Sequence, residues 1–243
     1  MEALLADALQ AHGGLGNWRE LTTLTARLSL GGPFWATRGW PGVYDGVTVT
    51  LDTRWERIVF DPFTTGDRRS VLEVGPDHSD RIAIETNTGD EIAQRTNPLA
   101  SYPPFTLTTP WDALQVAYFT SYAVWNYLTT PFLLASPGVR TREIDPWREN
   151  GETWRRLAVT FPPSIATHNG QQTFYFDDAN LLRRLDYQPV VTGAPIAHYT
   201  DQHQAFDGFV FPTHRRVFRR KPDNTADQQL AVITLDIKEI AAR

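Results

Sequence analysis

The chain has 243 residues and a formal net charge of −5, with 41% hydrophobic and 21% charged residues. That much apolar surface offsets chain entropy and excludes disorder as the main state, and the acidic balance gives no chain-wide grip on nucleic acid. Cysteine is absent, which excludes disulfides, thiolate metal sites, iron–sulfur clusters and cysteine nucleophiles.

Leu4, Leu5, Ala8 and Leu9 form one stripe and predict a helix over 2–12, stopped by Gly13-Gly14. His12 falls at its C-terminal end, where the helix dipole favours positive charge. The first residues lack a basic run and Asp7 interrupts the apolar one. They do not read as a secretory signal, so a cytoplasmic location is expected unless a signal has been removed. Residues 24–30 alternate, with Ala26, Leu28 and Leu30 on one face, and predict a half-buried strand. Further strands are predicted over 35–40, 47–53, 55–60, 70–74 and 81–85, punctuated by Gly, Pro, Asp and Asn. His78 falls in a polar loop.

Between Arg95 and Arg140 the one charged residue is Asp112. Thr109, Pro110 and Asp112 predict a helix start: a hydroxyl cap, proline in the first turn and an acid near the positive end of the dipole. The helix then runs apolar on nearly all sides to about Leu128. Gln115, Ser121, Asn126 and Thr129-Thr130-Pro131 interrupt the roughly 20 apolar residues a membrane span needs. The segment therefore reads as a helix buried under a sheet, with no membrane span.

After Pro146, strands are predicted over 153–161, 172–177, 181–187, 196–206, 209–219 and 229–239, with Asp207-Gly208 as a hairpin turn. Sequential hairpins make an antiparallel meander. No repeat or linker divides the chain, so one domain over 1–243 is expected. The fold class is mainly β with helices (α+β): a curled antiparallel sheet, as an open or half β-barrel, around an apolar helix.

The stretch from Trp154 to about Val217 contains Arg155-Arg156-Leu157-Ala158-Val159-Thr160-Phe161-Pro162, Gln172-Thr173-Phe174-Tyr175-Phe176-Asp177, Leu181-Leu182-Arg183-Arg184-Leu185-Asp186-Tyr187 and Phe206-Asp207-Gly208-Phe209-Val210-Phe211-Pro212-Thr213. An aromatic strand ends in an acid, the next begins with a leucine pair, and a later one ends in proline. With the element order, this resembles the LolA/LolB-like lipoprotein-carrier fold. The resemblance implies an unclosed barrel around helices that holds acyl chains.

Five common catalytic signatures are absent: the nucleophile elbow, the phosphate loop, the zinc helix, the dinucleotide fingerprint and the EF-hand loop. Histidine is more informative. By alternation His198 and His203 point to opposite faces, which disfavours a metal pair, so no metal and no cofactor is expected. Asp186-Tyr187 ends one strand and His198-Tyr199 lies in the next. In a hairpin, Asp186 would orient His198 as acid or base, with Tyr187 or Tyr199 as oxyanion donor. His168 is a second candidate in a rim loop. The run His214, Arg215, Arg216, Arg219, Arg220 and Lys221 reads as a solvated hairpin whose charges deter edge pairing rather than a phosphate or nucleic-acid patch. Trp111, Tyr118, Tyr122 and Trp125 are expected to line one wall of a hydrophobic cavity, with Phe174, Tyr175, Tyr187 and Tyr199 on the other.

The reading adopted from the sequence is a cofactor-independent enzyme of cyclase or isomerase type acting on a hydrophobic small molecule. The alternative is a carrier of a lipid-like ligand that does no chemistry. The partner in either case is a hydrophobic small molecule, with no nucleic acid.

Overall fold

A computed structural model describes residues 1–75 and 79–243, and His78 lies outside them. The first half holds α1 (Ala3–Ala11), α2 (Leu15–Glu20), β1 (Thr23–Gly31), α3 (Pro33–Thr37), β2 (Val47–Asp52), β3 (Arg57–Asp61), β4 (Arg68–Glu73), β5 (Arg81–Thr86), β6 (Glu91–Thr96) and α4 (Ala113–Thr129). The second half holds β7 (Arg140–Glu149), β8 (Glu152–Thr160), β9 (Gln171–Phe176), β10 (Leu182–Tyr187), β11 (Ile196–Phe206), β12 (Phe209–Arg220), β13 (Ala226–Asp227) and β14 (Ile233–Ala242). These form two compact units. The first comprises Met1–Glu20, Thr129–Pro162 and His168–Thr234; the second comprises Leu21–Leu128, Pro163–Thr167 and Leu235–Arg243.

In the second unit, β1 to β6 pair antiparallel in sequence order, and β14 lies beside β1. Alternation stacks Leu24, Ala26 and Leu28 beside Leu51, Val49 and Val47, all buried. The edge strand β6 carries little apolar alternation and is mostly exposed, which is why the sequence pattern passes over it. Residues 35–40, expected as a strand, start instead inside α3. Gly32 has φ 94° and Pro33 opens the helix, so the chain turns before it can extend.

Helix α4 belongs to this unit, and residues 114–134 are all buried. Its cap is Asp112, not Thr109. Asp112 Oδ1 accepts from the Gln115 N–H at 2.9 Å, and Gln115 Oε1 accepts from the Asp112 N–H at 2.8 Å, a reciprocal capping box. The Thr109 hydroxyl is taken up by Thr106. Among the described residues no helix is long and apolar enough to cross a membrane.

In the first unit, β7 to β12 form an antiparallel meander, with β13 beside β12. β7 was not foreseen because it contains Pro146. The register shifts between Ile144 and Trp147, so the proline sits in an irregularity on an edge strand, where its missing N–H is tolerated. Asp207 and Gly208, both at positive φ (49° and 85°), join β11 to β12 as expected. Gly13 ends α1 at φ 122°, with a Cβ there meeting Phe209 at 2.7 Å. His12 corrects an expectation. It is fully buried, its Nδ1 donates to Ala8 O at 2.8 Å, and burial lowers its pKa to about 4. It is neutral rather than a cationic cap.

Candidate functional site

The β10–β11 register decides which candidate residues meet. Leu185 pairs with His198 and Tyr187 with Ile196, so Tyr187 and His198 share one face. Asp186 pairs with Ala197 and Arg184 with Tyr199, which puts both on the opposite face. Asp186 therefore cannot orient His198, because alternation along β10 separates adjacent residues.

On the first face the Tyr187 hydroxyl lies 3.2 Å from His198 Nδ1. The His168 ring stacks on Tyr187 with centroids 4.3 Å apart and planes 7° from parallel. His168 was expected at a solvated rim. It is 3% exposed, because its segment folds in and its carbonyl accepts from the Val190 N–H at 2.9 Å. Burial lowers its pKa to about 3. His198 is held well below its usual value, chiefly by burial and then by the Arg215 charge. The result is a buried hydroxyl between two neutral imidazoles. Tyr187→Phe keeps the ring stack and removes the hydroxyl. It is expected to lower stability by about 1 kcal/mol, read by urea denaturation. No change would show that the 3.2 Å contact contributes nothing.

The opposite face is organised by Arg184, which the sequence reading did not single out. Its side chain is fully buried. Nε donates to Asp186 Oδ1 at 2.6 Å, Nη2 to Asp186 Oδ2 at 2.9 Å and Nη1 to Glu149 Oε2 at 2.9 Å. Tyr175 donates to Asp186 Oδ2 at 2.7 Å, and Tyr199 donates to Glu149. The guanidinium also lies over the Tyr175 and Tyr199 rings at 4.9 and 5.3 Å. Burial, then Asp186, pushes the Tyr175 hydroxyl up to about 12. Burial and the Glu149 hydrogen bond likewise raise Tyr199. Burial opposes the Arg184 charge, but Asp186 outweighs it and the guanidinium is raised. The signal that was available is Arg184-Leu185-Asp186, opposite charges two apart on one strand face.

In the second unit, Trp111 meets Phe34 and Tyr102 edge-on at 5.4 and 5.0 Å. Tyr118 and Tyr122 pack at 5.2 Å, and the Trp125 indole donates to Asp52 O at 2.9 Å. Tyr118 donates to Asp80 Oδ2 at 2.8 Å. Near them lies Glu56, also absent from the sequence candidates. It is 7% exposed and accepts from the Ala166 N–H at 2.9 Å, and burial holds its carboxyl well above the usual range. A single acid at a strand end carries no pattern that marks it for burial. Phe174 and Tyr175 lie on β9 in the first unit, on opposite faces of the strand.

No family model and no curated protein sequence matches the chain. Solved structures do. A DUF1329 family protein from Desulfovibrio piger superposes with a TM-score of 0.56 at 10% identity, over 99% of this chain and 92% of that one. A domain from Vibrio parahaemolyticus, provisionally described as an outer membrane lipoprotein-sorting protein, superposes at 0.53 and 8% identity, over 99% and 91%. A LolA superfamily protein from Nitrosomonas europaea matches at 0.45 and 8%, over 99% and 92%. At such identities what is shared is the fold. Among the described residues the strands pair mostly antiparallel, with a few helices, and the fold is LolA-like α+β.

Proposed function

We propose that the protein binds a hydrophobic, lipid-like small molecule and carries it without transforming it. The observation that supports this reading is the fold shared with a domain described for lipoprotein sorting. The residues of the acid–base reading point the same way. Asp186 faces away from His198, and the Tyr199 proton is engaged by Glu149. The aromatic side chains of α4, Tyr122 and Trp125 among them, are the candidate ligand contacts. The same neighbour makes a cytoplasmic place of action doubtful.

A cofactor-free cyclase or isomerase is the second reading, and the Tyr187–His198 contact favours it. One set of measurements separates the two. Titration with a fluorescent fatty-acid probe is expected to saturate, and Tyr122→Ala to weaken binding about tenfold. Native mass spectrometry of protein from its own host is expected to release an unaltered hydrophobic molecule. Absence of both probe binding and extracted ligand would sink the carrier reading. Turnover of an extracted ligand, lost in His198→Ala, would establish the enzyme.

A further inference from the structure

The face of the first unit that carries Arg184 also carries a cleft of about 690 Å³. Its floor follows from the register. Arg142, Ala158, Thr173 and Asp186 stand in one row across β7, β8, β9 and β10. The middle pair of that row has short side chains. The next row carries Arg156, Tyr175 and Arg184, which stand higher and form a wall.

The charges around this floor are unbalanced. Arg140, Arg142, Arg156 and Arg220 line the cleft, and its one carboxylate is Asp186. That carboxylate is already matched by Arg184 and the Tyr175 hydroxyl. Arg140 and Arg142 are exposed, and no ion pair holds them among the described residues. Arg156 Nε donates to the Asp145 carbonyl, and its guanidinium lies over Trp147 and Tyr175, contacts that orient it without neutralising it. Arg220 Nε is buried with no hydrogen-bond partner among the described residues. It lies 3.7 Å from Asp186 Oδ2, beyond hydrogen-bonding reach. A chain with a net charge of −5 thus gathers four cations and an unused donor in one polar cleft.

We propose that this cleft is a binding site for a phosphate group. The arginines reach it from three strands, β7, β8 and β12. A tetrahedral oxyanion presents acceptor oxygens in several directions, whereas a planar carboxylate presents two, so phosphate suits donors that converge from different sides. The phosphate is either free or the headgroup of a lipid, and both present the same oxygens to the cleft. The site stands without the hydrophobic-ligand reading, since none of its residues belongs to α4.

The test is calorimetric titration of the full chain with inorganic phosphate, beside co-sedimentation with phosphatidylglycerol vesicles, at about 0.15 M ionic strength where bare surface charge is screened. Arg140→Ala/Arg142→Ala, both exposed, and separately Arg220→Gln are expected to weaken binding about tenfold or more. Lys238→Ala, at an exposed position on β14, is expected to leave it unchanged. Binding of inorganic phosphate with this pattern identifies a free phosphate ligand, and vesicle binding with this pattern identifies a headgroup. Binding of neither, or equal binding by wild type and the double variant, overturns the proposal.

Discussion

Asp186→Ala is expected to lower the stability of the first unit by about 3–5 kcal/mol, the range for removing one partner of a buried ion pair. The Arg184 side chain is fully buried and Asp186 is 5% exposed, so a guanidinium left behind has no water to turn to. Glu149 still faces one nitrogen, but Nε and the Tyr175 hydroxyl lose their acceptor. A paired replacement, Arg184→Met with Asp186→Leu, is expected to recover only part of the loss, because it removes the stranded guanidinium but also takes the cation from Glu149. Urea denaturation of wild type and these two variants checks this. If Asp186→Ala stays within about 1 kcal/mol of wild type, the network is not structural.

Lowering the pH from 7 to 5 is expected to cost the wild type stability that a His168→Phe variant keeps. Burial holds His168 at about 3 against an ordinary 6.5, so the unfolded chain takes up a proton the folded chain refuses. Its contribution is fully present above 6.5 and is lost as the pH falls toward 3. By pH 5 the loss from this one ring is about 2 kcal/mol. His198 and His12 shift in the same direction. Glu56 runs the other way: its raised carboxyl contributes stability below its ordinary 4.5 that is lost as the pH rises. The difference between wild type and His168→Phe isolates the one histidine, since phenylalanine preserves the stack on Tyr187 and does not titrate. Parallel pH profiles for the two proteins would show that His168 is protonated in the fold or reached by solvent.

Much of this molecule was legible in the sequence because the signals are local. Alternation marked β1 and β8 to β12, the Asp207-Gly208 turn marked their last hairpin, and an almost charge-free run marked α4. Resemblance in element order led to the LolA-like fold. Where the sequence misled, a local rule met a tertiary exception. Pro146 is tolerated because β7 is an edge strand, and residues 35–40 turn helical because Gly32 and Pro33 redirect the chain.

The candidate site needed more than local rules. Its aromatic and histidine strand positions were visible, but their grouping depended on register. A residue-by-residue alternation sends Asp186 to Arg184 and Tyr187 to His198, although the two are neighbours in sequence. Burial was likewise invisible: nothing in the types Arg184, Glu56 or His168 announces that each is removed from water. The sequence by itself determined which elements form and which faces are apolar, because backbone propensity and periodicity act over a few residues. The tertiary structure alone decided which charges are matched, which imidazoles are neutral and where cations gather, because those depend on solvent exclusion and on partners brought from distant strands.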